Sequence, residues 1–296
     1  MSTELQRIDG KPVLRFERVL AHPPAKVWRV VTEPAELAHW FPAAVEVDGR
    51  AMTFSFPGQV TTGEVLESDP PRVFAFRWNT DVLRFELLPH ERGCLLVFTH
   101  VLGDELGAGR NAAGWDTCLA GLEARLTDRP FEPPADVLEP MERYIREFGL
   151  DEGRLEDGVV RFVRDLVWRP LDEVWALLVE GEDGVPTRAT NPHVPPGPLI
   201  DRTEPRVLEY DSPTGRVRWE FRHDPDEGTT VELTHAISDP AFAPQALAAW
   251  HAHLELFFAA MFGDIRCPWP EERVVELLDR YREPSRASSA ARWSRP

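Results

Sequence analysis

The chain repeats itself. At an offset of roughly 135 to 147 residues, Leu14-Arg-Phe-Glu-Arg with Pro23 and Val27-Trp28 returns as Val160-Arg-Phe-Val-Arg with Pro170 and Val174-Trp175. Pro71-Arg72-Val73 returns as Pro205-Arg206-Val207, Arg84-Phe-Glu-Leu as Arg218-Trp-Glu-Phe, and Thr99-His100 as Thr234-His235. From that histidine to the next shared tryptophan, Trp115 or Trp250, the interval is 15 residues in both copies. The segment after each copy also echoes, Pro134 to Arg143-Tyr144 against Pro270 to Arg280-Tyr281. Matches in this order restrict 296 residues to two similar domains in tandem. Their expected bounds are 1–150 and 151–284, followed by a disordered Ser-, Ala- and Arg-rich tail at 285–296.

Two copies of one unit make the hydrophobic pattern easier to orient, because a position apolar in both belongs to the core. Leu96, Phe98 and His100 alternate with Val97 and Thr99, as Val231, Leu233 and His235 alternate with Glu232 and Thr234. Both histidines therefore point inward. The same period places Phe85, Leu87, Trp219 and Phe221 inside, with Arg84, Glu86, Arg218 and Glu220 outside. Phe54 and Phe56 alternate likewise, as do Phe74, Phe76 and Trp78, which gives an antiparallel sheet with one aromatic-rich face. Trp115, Leu119, Leu122 and Leu126 match Trp250, Leu254, Phe257 and Met261 at helical spacing, so a long helix forms the opposite wall. Strand, short helices, several strands and a long helix make an α+β layer arrangement.

A formal charge of −17, with no basic stripe, argues against nucleic acid and anionic membrane surfaces as partners. The longest apolar stretch, Leu254 to Phe262 interrupted by Glu255, is far below a membrane span, and the N-terminus carries no leader pattern. A soluble, cytoplasmic protein is expected. Cys94, Cys118 and Cys267 are odd in number and lack any C-x-x-C spacing, which suits reduced thiols.

The run Pro24-Ala-Lys-Val-Trp, Thr32-Glu-Pro-Ala-Glu-Leu-Ala-His-Trp-Phe41, Gly63-Glu-Val-Leu-Glu-Ser-Asp-Pro-Pro71, Phe98-Thr-His100 and Ala113-Gly-Trp115 resembles the START-like (SRPBCC) superfamily. Within it, the similarity is to the branch named for the C-terminal domain of the activator of heat-shock-protein-90 ATPase. It covers about the first 127 residues and, more weakly, residues 159–262. The resemblance implies tandem helix-grip domains, also called birch-pollen-allergen-like, in which each antiparallel sheet wraps a long C-terminal helix around an elongated apolar cavity. It raises Trp40, Phe41, Phe54, Phe56, Phe74, Phe76, Trp78, Phe85, Phe98, His100, Trp115 and Leu119 from ordinary core to expected ligand-binding residues.

The copies are unequal. Trp28 to Gly63 spans 35 residues but Trp175 to Gly197 only 22, so the second copy lacks 13 residues around the short second helix and part of the Phe54 hairpin. Its Pro-rich replacement cannot pair as a central strand, which predicts a degenerate second cavity. His100 reads as a satisfied buried histidine or a ligand contact, with Asp116 a candidate to orient it. Arg77, Asn79 and Asp81 read as a solvated loop near a cavity mouth. His251 and His253 diverge by about 200° on a helix and cannot share an ion, so no metal and no cofactor are expected. No nucleophile motif or phosphate loop occurs, and no catalytic residue is assigned.

The chain thus reads as a non-enzymatic module binding an apolar small molecule or a protein partner. Outward-facing Leu95 and Val97 suggest that something covers the first copy's outer face, either the second domain or a homodimer partner. Two further readings stand beside it, a polyketide aromatase/cyclase-like enzyme and a co-chaperone stimulating a chaperone ATPase.

Overall fold

The computed structural model describes residues 2–283, so the expected tail at 285–296 lies outside the described residues. The chain divides after Leu150 into two compact units. The first contains β1 (Ser2–Ile8), β2 (Lys11–Leu20), α1 (Pro24–Thr32), α2 (Pro34–Leu37), β3 (Ala44–Asp48), β4 (Ala51–Phe56), β5 (Gln59–Asp69), β6 (Val73–Trp78), β7 (Asp81–His90), β8 (Gly93–Val101), α3 (Ala108–Leu126) and α4 (Leu138–Glu147). The second contains β9 (Arg154–Glu156), β10 (Val159–Asp165), α5 (Leu171–Val179), β11 (Leu199–Thr203), β12 (Val207–Ser212), β13 (Gly215–Asp224), β14 (Gly228–Ile237), α6 (Ala243–Ala260) and α7 (Glu271–Arg282), with short 3-10 turns at Thr187–Ala189 and Pro240–Phe242.

The duplication is visible in the strand order. The first sheet runs β1-β2-β8-β7-β6-β5-β4-β3, and the second, read from its other edge, β9-β10-β14-β13-β12-β11. The two orders agree strand for strand until the second stops short of a counterpart to β4 and β3. The deletion inferred from spacing therefore removes α2 and the whole β3–β4 hairpin, more than the part expected. Both sheets are antiparallel. Each opens with an Asp-Gly hairpin, Asp9-Gly10 and Asp157-Gly158, whose φ values are 51° and 79° in both copies. Two consecutive positive φ angles match the twist of a two-residue hairpin, and Asp-Gly tolerates them.

The inward assignments hold. His100 lies opposite Leu14 and Leu83, and His235 opposite Val160 and Val217. Phe85, Leu87, Trp219 and Phe221 are buried, whereas Phe56 and Trp78 at the strand ends are only half-buried. Proline opens α1 because its missing N–H lies among those that no helical carbonyl would accept. The short second helix closes at Leu37, and His39, Trp40 and Phe41 continue it as turns, their N–H groups bonding Glu36, Leu37 and Leu37 carbonyls. On the side of α6 carrying Ala248 and Ala252, α7 packs Val274 and Leu277. No helix among the described residues is long and apolar enough to cross a membrane.

Candidate functional site

The twelve expected site residues converge in the first unit, between the inner sheet face and α3. Phe98 on β8 meets Trp115 on α3 with ring centroids 4.6 Å apart, and Phe85 on β7 meets Phe98 at 4.6 Å. Phe54 stacks on Trp78 at 4.9 Å, Phe56 on Trp78 at 5.5 Å, and Phe74 lies 5.5 Å from Phe76. Phe41 sits in the middle, 5.6–6.2 Å from Phe54, Phe76, Trp78 and Trp115. Phe16 and Trp28 extend the cluster, at 5.6 Å from Phe98 and 6.1 Å from Phe74, although the sequence reading left them out.

Space that a water could occupy would leave accessible surface on its lining. Phe54 and Phe98 have 0% exposure, and Leu119 and Phe85 1%, so their rings and branches touch other side chains instead. Around these residues the expected open cavity is replaced by contact, and Phe41 is the side chain at its centre.

Three contacts hold that segment down. Trp40 Nε1 donates to the Val30 carbonyl at 3.0 Å. Glu36 on α2 receives Arg125 of α3 through both oxygens, at 2.7 and 3.1 Å, and this hydrogen bonding lowers the Glu36 carboxyl below its usual range. Gly121 permits the close approach, since a Cβ there would stand 3.3 Å from Trp40 Cβ and 3.2 Å from the Phe131 ring. In the second copy Leu256 and Ala260 stand where Gly121 and Arg125 stand in the first.

The second copy closes the same place with backbone. His253 Nε2 donates to the Arg188 carbonyl at 2.8 Å, while Trp219 Nε1 and Tyr210 Oη donate to the Ala189 carbonyl at 3.0 and 2.8 Å. Carbonyls of the Thr187–Ala189 turn thus meet three donors. An opening of about 350 Å³ lies beside it, lined among others by Leu256, Phe257, Ile265 and Trp269. His253 is spoken for, which removes it from any shared metal site with His251.

His100 is fully engaged. Trp115 Nε1 donates to its Nδ1 at 2.9 Å, so Nε2 carries the proton and donates to Asp81 Oδ2 at 2.7 Å. Asp81 Oδ1 accepts the Gly103 N–H at 2.8 Å. Asp81, read from sequence as a solvated loop residue, is therefore the orienting carboxylate. It lies diagonally across the β7–β8 pair from His100, on the same face, within side-chain reach. In the second copy Trp250 Nε1 donates to His235 Nδ1 at 3.2 Å and Thr214 Oγ1 meets Nε2 at 3.3 Å. With a hydroxyl in place of the carboxylate, burial pushes His235 down to about 4.

Asp116, which the sequence offered as a partner for His100, faces the other way. It pairs with Arg18 and accepts from Tyr144 Oη, while Arg143 lies 3.5 Å away and over the Tyr144 ring. These groups line an open cleft of about 660 Å³ with Ser2 and Glu123. In the second copy Arg164, His251 and Tyr281 occupy the places of Arg18, Asp116 and Tyr144, and Asp151 joins them. Asp151, His251 and Glu255 bring one ligand atom each within 4.8 Å of one another, a constellation the sequence reading did not consider because it weighed histidines alone. Burial alone would raise Glu255, but hydrogen bonds from His251 and Arg273 outweigh it and hold the carboxyl at about 2.

Residues 21–127, which span this cluster, match the sequence model of the family described as Activator of Hsp90 ATPase homolog 1-like protein. The match lies within the first unit. No curated protein matches the chain significantly. Among solved structures, the chain is similar to a conserved protein of unknown function from Enterococcus faecalis, at 20% identity over 50% of this chain and 90% of that one, with a TM-score of 0.45. It is also similar to CalU16 from Micromonospora echinospora, at 19% identity over 50% and 97% with a TM-score of 0.41. A protein from Chromobacterium violaceum is 27% identical over 38% and 95%, with a TM-score of 0.33.

Proposed function

We propose that this Hsp90-ATPase-activator-like first unit is a non-enzymatic binding module that admits an apolar small molecule among its aromatic residues by displacing Phe41. The observation that carries the reading is the position of Phe41. It comes from the short segment after α2, and its ring meets four others from the sheet and α3. A flat ligand burying about 300 Å² gains roughly 7 kcal/mol, and expelling one buried phenylalanine returns about 2–3 kcal/mol of that. Binding to the unaltered protein is accordingly weak, and association costs weaken it further. The engagement of both His100 nitrogens supports binding over acid–base chemistry, since neither holds a free lone pair or an uncommitted proton.

Titration with anilinonaphthalene sulfonate, whose emission rises in apolar surroundings, tests the proposal. Phe41→Ala should tighten binding by about 30- to 140-fold, the displacement cost converted at 1.4 kcal/mol per tenfold. Unchanged affinity in that folded variant would contradict it.

A further inference from the structure

We propose that Asp151, His251 and Glu255 form a closed, structural site for one divalent transition-metal ion of the zinc class in the second unit. His251 and Glu255 stand four residues apart on α6 and so share one face. His251 Nε2 lies 3.2 Å from Asp151 Oδ2 and 3.5 Å from Glu255 Oε1. In a tetrahedral shell with bonds of about 2.0–2.1 Å, neighbouring donors are separated by about 3.3–3.4 Å. Both pairs that include His251 already stand near that separation, and all three ligand atoms lie within 4.8 Å of one another.

A second observation points the same way. Asp151 is 1% exposed, and its Oδ1 has no hydrogen-bond partner among the described residues. A buried carboxylate oxygen without a partner is costly. A chelating Asp151 would use both oxygens, which with His251 Nε2 and one Glu255 oxygen gives a distorted four-donor shell, the two carboxylate oxygens standing closer together than tetrahedral neighbours. One imidazole with carboxylates suits zinc, cobalt(II) or iron(II) better than calcium, which takes six to eight oxygens.

The surroundings support such a shell. Tyr281 Oη is 2.9 Å from His251 Nδ1 and receives the Gly153 N–H at 3.0 Å, which fixes the ring plane. Arg273 holds Glu255 at 2.8 and 3.2 Å and keeps Glu276 at 3.2 Å as a second partner. Two carboxylates neutralise the ion, and the proton on His251 Nε2 passes to solvent as the metal takes its place. Buried Arg164, in electrostatic reach of Asp151 and Glu255, opposes the ion and keeps affinity below that of a site without it. The first copy cannot form this site, because Asp116 and Ala120 stand where His251 and Glu255 stand in the second.

The test is titration of the chelator-stripped full chain with cobalt(II), followed by visible absorption and native mass spectrometry. The expected result is one ion per chain with the strong bands of tetrahedral cobalt, abolished by zinc, and an affinity at least tenfold weaker in Glu255→Gln and in Asp151→Asn. Absence of a stoichiometric ion in the folded wild-type protein would overturn the proposal, as would wild-type affinity in both variants. Should the variants fail to fold, the wild-type cobalt spectrum decides alone, tetrahedral bands supporting the site and octahedral or absent bands overturning it.

Discussion

His100 and His235 are equivalent buried imidazoles whose Nε2 partners come from different positions, Asp81 in the first copy and Thr214, one residue before the counterpart of Asp81, in the second. The first has a carboxylate at Nε2 and the second a hydroxyl, while both receive an indole N–H at Nδ1. Trp115→Phe keeps the ring but leaves His100 Nδ1 buried without a donor, so it should cost about 1–3 kcal/mol by urea unfolding. A cost below a few tenths would show that the bond is dispensable. His235, pushed from 6.5 to about 4, stays neutral in the fold while the unfolded chain takes up a proton. Its contribution is therefore present above about pH 6.5 and lost as pH falls toward 4, to a limit of about 3 kcal/mol. His235→Gln should flatten the pH dependence of unfolding free energy across that window. Identical slopes in the two proteins would refute the assignment. The inward direction of both histidines was legible from a period of two. Asp81 was not, because its partnership depends on the β7–β8 register, which places a residue 19 positions earlier beside His100.

At the scale of elements, the shortened second copy was legible as a count of residues, but what the loss exposed was not. Spacing gave the missing α2; the pairing pattern shows that the β3–β4 hairpin went with it, and that the Thr187–Ala189 turn supplies the carbonyls that now occupy Trp219, Tyr210 and His253. Sequence also could not say that Trp40 and Phe41 fill the space expected to be empty. Apolar patterning identifies inward side chains without telling whether they face a void or each other. Helix contacts hang on small residues that periodicity ignores. A Cβ on Gly109 would stand 2.6 Å from Ile145 Cγ1, where α4 packs on α3. Gly109→Ala should destabilise the first unit by about 1–3 kcal/mol, and Ile145→Ala added to it should cost less than the two changes summed. Strict additivity in thermal or urea unfolding would contradict this contact.

For the whole molecule, the account is of two copies of one fold that have diverged in how they close the inner sheet face. The first uses the aromatic side chains of Trp40 and Phe41, and the second uses main-chain carbonyls of the Thr187–Ala189 turn with three side-chain donors. Changes confined to one copy should therefore leave the other's behaviour intact. A Cβ on Gly153 would lie 2.2 Å from the Phe162 ring, so Gly153→Ala should destabilise the second unit while leaving anilinonaphthalene sulfonate affinity in the first within twofold. Equal loss of both would contradict separate cores. The most direct test of the central claim reads the indole N–H resonances by NMR as an apolar aromatic ligand is added. Trp40, Trp78, Trp115, Trp219 and Trp250 each donate to a different acceptor, Val30, Thr61, His100, Ala189 and His235, which separates their signals. The account predicts shifts at Trp40, Trp78 and Trp115 with Trp219 and Trp250 unmoved; shifts confined to the second unit, or none at saturating ligand, would contradict it.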